Sequence, residues 1–152
     1  MKNIIEYIKE SIKEETKPII VKNECPVNGF AILKPEFTEY EYDFDNLLKN
    51  NNWQIIQKVK RTLSLEEAKE LYISKKDEKY YNDLCTYMAS GDCIAYMLRK
   101  EDCKDPIKDL EKIKNKVRKE WGKDEMKNAM HSSDSKENVE REYKLILQKQ
   151  LV

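Results

Sequence analysis

Hydrophobic and polar residues along the chain follow two spacings, one typical of helices and one typical of strands. Isoleucines recur at helical spacing within residues 2–15, which predicts an amphipathic helix. Prolines and an Asn-Gly pair then interrupt the pattern, so we expect residues 17–28 to form a connector. Compact apolar runs at 30–33 and 92–98, and a β-rich stretch at 53–63, predict strands.

Local signals mark where the central helices begin and end. Apolar residues share one helical face within 43–51 and within 78–89, and a Ser-Gly pair ends the second of these segments. The run Ser64-Leu65-Glu66-Glu67 has the pattern of a capping box, in which serine and glutamate side chains satisfy free backbone N–H groups at a helix start. Pro106 suits the first turn of a further helix.

The C-terminal part of the chain leaves one choice open. Asp134 and Glu137 predict a second capping box, followed by a helix through Val139. The apolar positions over residues 143–147 fit either a continuation of that helix or a final strand, because periodicity does not discriminate over so short a run. Strands and helices alternate along the chain as a whole, which favours a sheet with helices packed against it.

Composition limits the kinds of protein that this chain can be. The 152 residues fit one domain, and the 39% of hydrophobic residues provide material for one core. The 29 basic and 29 acidic side chains cancel, whereas proteins that coat DNA or RNA normally have a basic excess. No apolar run reaches the roughly 18 residues that span a bilayer, and the N-terminal stretch is unlike a signal peptide. We therefore expect no binding to nucleic acid or membrane.

Cysteine and glycine are used in ways that disfavour several kinds of site. The four cysteines contain no Cys-x-x-Cys pair and lie far from the single histidine. We therefore expect reduced thiols in a cytoplasmic protein rather than a zinc site or a disulfide framework. With only three glycines, the chain can form neither a dinucleotide-binding loop nor a P-loop. If the protein binds phosphates, side chains must bind them.

The single histidine, His131, lies in a polar segment just before a predicted helix start. A helix N-terminus attracts anions through its free N–H groups and its dipole. A neutral imidazole can act as a base or a nucleophile when a second group fixes its tautomer, and Glu142 lies downstream where it could do so. A lone histidine is more often structural, so the segment indicates chemistry only together with other motifs.

Three segments occur in an order that is typical of one family. The run Gly29-Phe30-Ala31-Ile32-Leu33-Lys34-Pro35 ends a predicted strand in a Lys-Pro pair. An aromatic helix over residues 80–91 ends in a Tyr-Met-x-Ser-Gly element. Val117-Arg118 is followed by Asn128-Ala129-Met130-His131-Ser132-Ser133-Asp134-Ser135. Over roughly residues 28–147, the chain resembles the nucleoside diphosphate kinases, whose active-site signature is Asn-x-x-His-x-Ser-Asp-Ser.

The resemblance implies a fold and an assembly. The fold would be α+β and ferredoxin-like, with a four-stranded antiparallel sheet and helices on one face. Residues 143–147 would form the last strand. Residues 1–27 would be an N-terminal helical extension and connector, and residues 28–152 a nucleoside diphosphate kinase-like domain. A homo-oligomer is implied, with a dimer favoured over a hexamer because the loop that helps to form trimer contacts is missing.

The resemblance also implies a reaction. The γ-phosphate of ATP or another nucleoside triphosphate would move to a histidine and then to a nucleoside diphosphate, in a ping-pong cycle with Mg²⁺ held mainly by the nucleotide phosphates. The implied roles are His131 as nucleophile, Glu142 as the residue that holds its other ring nitrogen, Lys34 and Arg118 as phosphate ligands, Tyr72 as a hydroxyl donor near the transferred phosphate, Asn128 as a sugar contact, Tyr80 as a base-stacking residue, and Ser133 as a hydrogen-bonding residue near His131 and Lys34.

The chain departs from the family pattern between residues 97 and 118. This segment is shorter and lacks the loop that supplies a phosphate-binding threonine. The family's second phosphate-binding arginine falls on Glu111, whose charge would repel phosphates. Nearby lysines could compensate, namely Lys108, Lys112 or Lys116. These departures keep a second hypothesis open, a catalytically weak or inactive nucleotide-binding or regulatory module of the same fold.

Overall fold

A four-stranded antiparallel sheet forms the centre of the protein. The computed structural model describes residues 27–147. The strands are β1 (Gly29–Leu33), β2 (Gln54–Thr62), β3 (Asp92–Arg99) and β4 (Met130–Ser132). The helices are α1 (Glu41–Asn50), α2 (Leu65–Leu71), α3 (Tyr81–Met88), α4 (Pro106–Trp121) and α5 (Lys136–Ile146), with 3₁₀ turns at Thr38–Tyr40 and Ile73–Lys75. The strand order is β2-β3-β1-β4, which confirms the predicted α+β fold class.

Helices cover both faces of this sheet, since every residue of β1 is buried. Phe30 and Ile32 pack with α2, α3 and α5 on one face, whereas Ala31 and Leu33 pack with α1 and α4 on the other. The expected placement of all helices on one face is therefore wrong. A strand that is apolar at every position, rather than at alternate positions, is typical of a sheet covered on both sides.

The capping box at the start of α2 is confirmed. The Glu67 N–H donates to Ser64 Oγ at 3.0 Å, and the Ser64 N–H donates to Glu67 Oε1 at 3.0 Å. Glu67 is buried and also forms an ion pair with Arg61 of β2. The box therefore fixes the path of the chain from β2 into α2, whose C-cap residue is Tyr72.

Removing the capping hydroxyl should have a measurable cost. Ser64→Ala is expected to lower the free energy of unfolding by about 1 kcal/mol, because the Glu67 N–H loses its acceptor at a helix start. Urea unfolding followed by far-UV circular dichroism measures the loss. Thr86→Ala, at an exposed position of α3, is the control and should stay within about 0.5 kcal/mol of the parent. Equal unfolding midpoints for the two variants would contradict the stabilising role of the box.

The C-terminal helix is longer than the resemblance implies. Helix α5 continues to Ile146, so the last strand expected over residues 143–147 is wrong. Val139, Tyr143 and Ile146 are spaced at i, i+4 and i+7 and are all buried, which is the stripe of a helix packed against a sheet. The fourth strand is β4, which pairs with β1.

The N-cap of α5 also differs from the prediction. The capping side chain is Ser135, whose Oγ accepts a hydrogen bond from the Asn138 N–H at 3.1 Å. Asp134 instead accepts from the Asn138 side-chain amide at 2.7 Å. The predicted capping box of Asp134 and Glu137 is therefore wrong, because α5 begins at Lys136, which makes Ser135 the N-cap and Asn138 the third helical residue.

The remaining sequence predictions fall partly outside the described residues. The helix predicted over residues 2–15, and nearly all of the connector predicted over 17–28, lie there. Within residues 27–147, no helix is long and apolar enough to cross a membrane. Cys85 and Cys93 are buried free thiols, and burial raises the pKa of the Cys93 thiol to about 12. Cys103 is a free thiol of intermediate exposure.

Candidate active site

Strand pairing brings His131 and Lys34 to one face of the sheet. His131 of β4 lies opposite Ile32 of β1, and Lys34 follows two residues after Ile32. Because side chains alternate along a strand and directly opposed residues share a face, all three point toward the layer that contains α2, α3 and α5. A backbone hydrogen bond from the Lys34 N–H to the Ala129 oxygen, at 2.8 Å, continues the pairing. His131 therefore lies in strand β4, a few residues before the start of α5, as its position before a predicted helix start indicated.

The backbone just before β4 adopts a rare conformation. Ala129 has a φ of 83°, in the left-handed region, and is fully buried. A residue with a side chain pays about 1–2 kcal/mol for this conformation. The turn lets Asn128 lie against Lys34, whose Nζ donates to Asn128 Oδ1 at 2.7 Å, while the following residue enters β4.

A buried carboxylate holds one nitrogen of the His131 ring. His131 Nε2 lies 2.7 Å from Glu142 Oε1, and Ser133 Oγ donates to the same oxygen at 2.7 Å. Glu142 is 3% exposed, and its other oxygen lies 3.4 Å from Arg141 Nη2. An ionised carboxylate only accepts, so the proton of the neutral ring is on Nε2 and Nδ1 keeps its electron pair. Nδ1 of an oriented imidazole is thus available as a base or a nucleophile.

Lys34 is a buried cation held by neutral oxygens. It is 3% exposed, and its Nζ donates to Asn128 Oδ1 at 2.7 Å and to the Met126 backbone oxygen at 3.2 Å. Burial lowers the pKa of Lys34 to about 7, and the positive charges of three neighbouring side chains act in the same direction. An anion bound in contact with this ammonium would favour its charged form.

The buried charge predicts that the effect of Lys34→Met on stability depends on pH. The pKa of Lys34 is about 7 in the folded protein and returns to its ordinary 10.5 on unfolding, so the unfolded chain binds more protons between these values. The stability of the parent therefore rises with pH in this window, and the full cost of the charge is present below about pH 7. Lys34→Met removes this cost. Its free energy of unfolding, relative to that of the parent, should therefore be about 3 kcal/mol larger at about pH 6.5 than at about pH 9.5.

Urea unfolding at both pH values, in buffers free of phosphate, measures this difference. Lys112→Met, at an exposed position of α4, is the control, and its stability relative to the parent should not change with pH. A difference between Lys34→Met and the parent that is the same at both pH values would contradict the buried charge.

Five cationic side chains of the described residues line the same pocket, and one of them, Arg141, lies 3.4 Å from Glu142 Oε2. The other four are Lys34, Lys75, Lys114 and Arg118. The Arg118 Nε donates to the Met130 backbone oxygen at 3.1 Å, and burial lowers the pKa of both Arg118 and Lys114. Among residues 27–147, no carboxylate lies within 4.0 Å of any of the four. Partly buried positive charge without a negative partner favours a polyanionic ligand.

Two tyrosines line the pocket at different depths. Tyr72 is buried, and its ring meets that of His131 edge-on, with centroids 5.4 Å apart. Its hydroxyl is buried without a hydrogen-bond partner in the described part of the chain, and burial raises the pKa of Tyr72. Such a hydroxyl costs free energy until a ligand oxygen pairs with it. Tyr80, just before α3, is 44% exposed.

The pocket has a volume of about 780 Å³ and brings together seven of the eight predicted site residues, which are Lys34, Tyr72, Tyr80, Arg118, Asn128, His131 and Glu142. This volume is in the range of sites for small ligands, roughly 300–1,000 Å³. The eighth, Ser133, is buried and bonds to Glu142. Within residues 27–147, no hydrogen bond joins Ser133 to Lys34. Of the two expected neighbours, Ser133 is therefore linked only to His131, through Glu142.

Sequence reasoning missed three basic residues of the pocket, Lys75, Lys114 and Arg141. Lys114 lies four residues before Arg118 in α4 and so shares its helical face, a spacing that is readable from the sequence. The lysines that were expected to compensate for Glu111 do not line the pocket, namely Lys108, Lys112 and Lys116. Glu111 is exposed and does not line the pocket either.

Fold and pocket together define a ferredoxin-like domain with an oriented histidine beside a cationic cavity. The family model described as Nucleoside diphosphate kinase matches residues 28–152. The chain belongs to the nucleoside diphosphate kinase family, as the resemblance predicted.

Known relatives agree with this assignment. The human Nucleoside diphosphate kinase homolog 5 is 26% identical over 132 residues, which cover 80% of this chain and 62% of that protein. The nucleoside diphosphate kinase of Geotalea uraniireducens is 29% identical over 119 residues, covering 72% of this chain and 87% of that protein. The solved structure of the Aquifex aeolicus nucleoside diphosphate kinase has a TM-score of 0.68 at 25% identity, covering 78% of this chain and 93% of that one.

The chain spans less than two thirds of the length of several relatives. It covers 62% of the human relative. The Thioredoxin domain-containing protein 3 homolog of Heliocidaris crassispina is 26% identical over 155 residues, and the match covers 91% of this chain but 17% of that protein. The family domain therefore occurs within longer proteins.

Proposed function

We propose that this chain is a nucleoside diphosphate kinase that moves the γ-phosphate of a nucleoside triphosphate to a nucleoside diphosphate through a phosphohistidine on His131. One observation carries the proposal. His131, with Nε2 held 2.7 Å from Glu142 and Nδ1 available, lines the same pocket as four cations that lack carboxylate partners among residues 27–147. Phosphoryl transfer needs a positioned nucleophile and stabilised phosphate charge.

In the first half-reaction, His131 Nδ1 attacks the γ-phosphorus and forms an N–P bond. The bond from that phosphorus to the β,γ-bridging oxygen breaks, and the oxygen leaves with the electron pair as part of the nucleoside diphosphate. The ring keeps its proton on Nε2, and Glu142 stabilises the positive charge that the ring acquires. In the second half-reaction, a terminal oxygen of an acceptor diphosphate attacks the phosphorus and the N–P bond breaks, so one pocket serves donor and acceptor in turn.

The other side chains have matching roles in this proposal. Lys34 and Arg118 neutralise phosphate oxygens, and the hydroxyl of Tyr72, which lacks a partner among the described residues, donates to one of them. Asn128 contacts the sugar, and Tyr80, being largely exposed, stacks on the base. Ser133 acts through Glu142, since it holds the carboxylate oxygen that orients the imidazole.

We propose that Mg²⁺ enters with the nucleotide, as part of the substrate. Within the described residues, no group of three or more His, Cys, Asp or Glu side chains is arranged to hold a metal ion. Mg²⁺ is commonly bound through substrate phosphates and water with few protein ligands. Its chemistry would be to neutralise phosphate oxygens, in addition to the charge that the pocket supplies.

One feature favours a second candidate, a nucleotide-binding or regulatory module without transfer activity. The resemblance implies that the segment between residues 97 and 118 lacks the family's phosphate-binding loop, and helix α4 runs without a break over Pro106–Trp121. We propose the enzyme as the first candidate because a module that only binds nucleotides has no need of an oriented nucleophile.

A labelling experiment tests the proposal. The purified protein is incubated with Mg²⁺ and γ-labelled ATP, the reaction is stopped in base, and the protein is analysed for acid-labile label. We expect label on the protein, and its transfer to added GDP to give labelled GTP. Saturable nucleotide binding without label on the protein would overturn the proposal in favour of the binding module.

We further propose a cytoplasmic homo-oligomer, a dimer rather than a hexamer. Residues 1–27 would form an extension and residues 28–152 the kinase-like domain. Sedimentation of the full chain, with and without residues 1–27, tests both the assembly and the independence of the domain.

A further inference from the structure

Lys114 and Lys75 are pocket residues to which the proposed mechanism has so far given no role. Lys114 extends from α4, and Lys75 ends the 3₁₀ turn that follows α2. Helices α2 and α4 pack on opposite faces of the sheet, so the two lysines reach the pocket from different layers of the fold.

The position of Lys114 is unfavourable in the absence of a ligand. It lies one helical turn before Arg118, and like charges at this spacing destabilise a helix by a few tenths of a kcal/mol. It is also partly buried. The carboxylates of Glu111 and Asp134 favour its positive charge, but both lie beyond the 4.0 Å of an ion pair.

Lys75 completes a group of charges around one volume. Its ammonium and that of Lys114 both act electrostatically on Lys34, which contacts the pocket from the end of β1. No carboxylate of the described residues lies within 4.0 Å of Lys75. Repulsion between these cations is relieved by a ligand with several negative charges, and a single carboxylate would be insufficient.

We propose that Lys114 and Lys75 bind phosphate oxygens of a nucleoside di- or triphosphate from two sides, and so replace the charge and contacts of the phosphate-binding loop that this chain lacks. This inference rests on the proposed function, because it takes the nucleotide as the ligand. Glu111 stands where the family has a second phosphate-binding arginine. In this inference Lys114, one helical turn from Arg118 in α4, supplies the positive charge instead.

The test is the Kd of MgADP for the full chain and its variants, measured by titration calorimetry. Lys114→Gln and Lys75→Gln are each expected to raise Kd about tenfold, because each removes one charge-assisted hydrogen bond. The matched controls are Lys112→Gln and Lys76→Gln, at exposed neighbouring positions, which should change Kd less than about twofold. Lys114→Arg should restore binding. The difference between Lys114→Gln and the parent should shrink when KCl is raised from about 50 mM to about 500 mM.

The outcomes separate this inference from the proposed function. Unchanged Kd in both pocket variants would overturn the inference and leave transfer through His131 intact. Weakened MgADP binding in a protein that never becomes labelled would support the inference and overturn the proposed function. Failure of the parent to bind MgADP would overturn both. Urea unfolding shows that the variants are folded, and Lys114→Gln should be at least as stable as the parent because it removes a like-charge pair.

Discussion

His131→Asn is expected to bind MgATP and to acquire no phosphate, and its transfer of label from ATP to GDP should fall to background. The asparagine amide can approximate the shape of the ring but lacks a nucleophilic electron pair on nitrogen. The pocket cations are untouched, so Kd for the nucleotide should change little. Rapid-quench labelling with γ-labelled ATP measures the transfer, and titration calorimetry measures the binding.

The amino-acid composition makes the site of labelling easy to assign. His131 is the only histidine in the 152-residue chain, so any phosphohistidine on this protein is on that residue. Acid-labile label that persists in His131→Asn would show that another group carries the phosphate. Transfer to GDP at the rate of the parent would show that the donor phosphate passes directly to the acceptor, and the ping-pong cycle would be wrong.

Glu142→Gln is expected to slow labelling of His131 about a thousandfold. The glutamine amide has nearly the same shape as the carboxylate but donates through its nitrogen, which favours the ring tautomer with the proton on Nδ1 and so occupies the attacking electron pair. It also removes the negative charge that stabilises the phosphorylated ring. A neutral replacement of the carboxylate that orients a catalytic histidine costs about ten thousandfold in serine proteases.

Single-turnover labelling gives the rate for this variant, and MgADP binding shows that the pocket is intact. Glu137→Gln, at an exposed position in the first turn of α5, is the control and should label like the parent. Labelling of Glu142→Gln at the rate of the parent would mean that the carboxylate does not set the tautomer. The contact of 2.7 Å would then be structural only.

Much of the secondary structure was predictable because interactions between residues close in sequence determine it. Ser64 and Glu67 form their capping box within four residues of chain, and the buried run of β1 lies between a glycine and a proline. The last element was less predictable. Residues 143–147 have apolar positions that suit either a strand or a helix, and the choice depends on Val139 and Tyr143 packing against the sheet. Strand β4, with three residues, is too short to give a periodic signal.

The site residues that lie within family motifs were predictable from the sequence. His131, Lys34 and Asn128 fall in two segments that match the family signature, and the structure places them in one pocket. Lys75 and Lys114 lie outside those motifs. The sequence shows that Lys114 shares a helical face with Arg118, but both lysines reach one pocket because layers from both sides of the sheet meet there. The contact between two layers is a tertiary property that residue spacing along one chain segment does not encode.

The crowding of positive charge around Lys34 has a consequence for how tightly a ligand is held. Folding alone brings these cations together, so the ligand-free protein stores electrostatic energy in the cavity. Burial is the largest cause of the lowered pKa of Lys34, and the positive charges of Arg118, Lys114 and Lys75 lower it further. A polyphosphate that enters releases this stored energy in addition to forming new bonds. Part of its affinity is therefore supplied in advance by the packing of the core, and substitutions far from the cavity that loosen this packing would weaken binding while every direct contact remained in place.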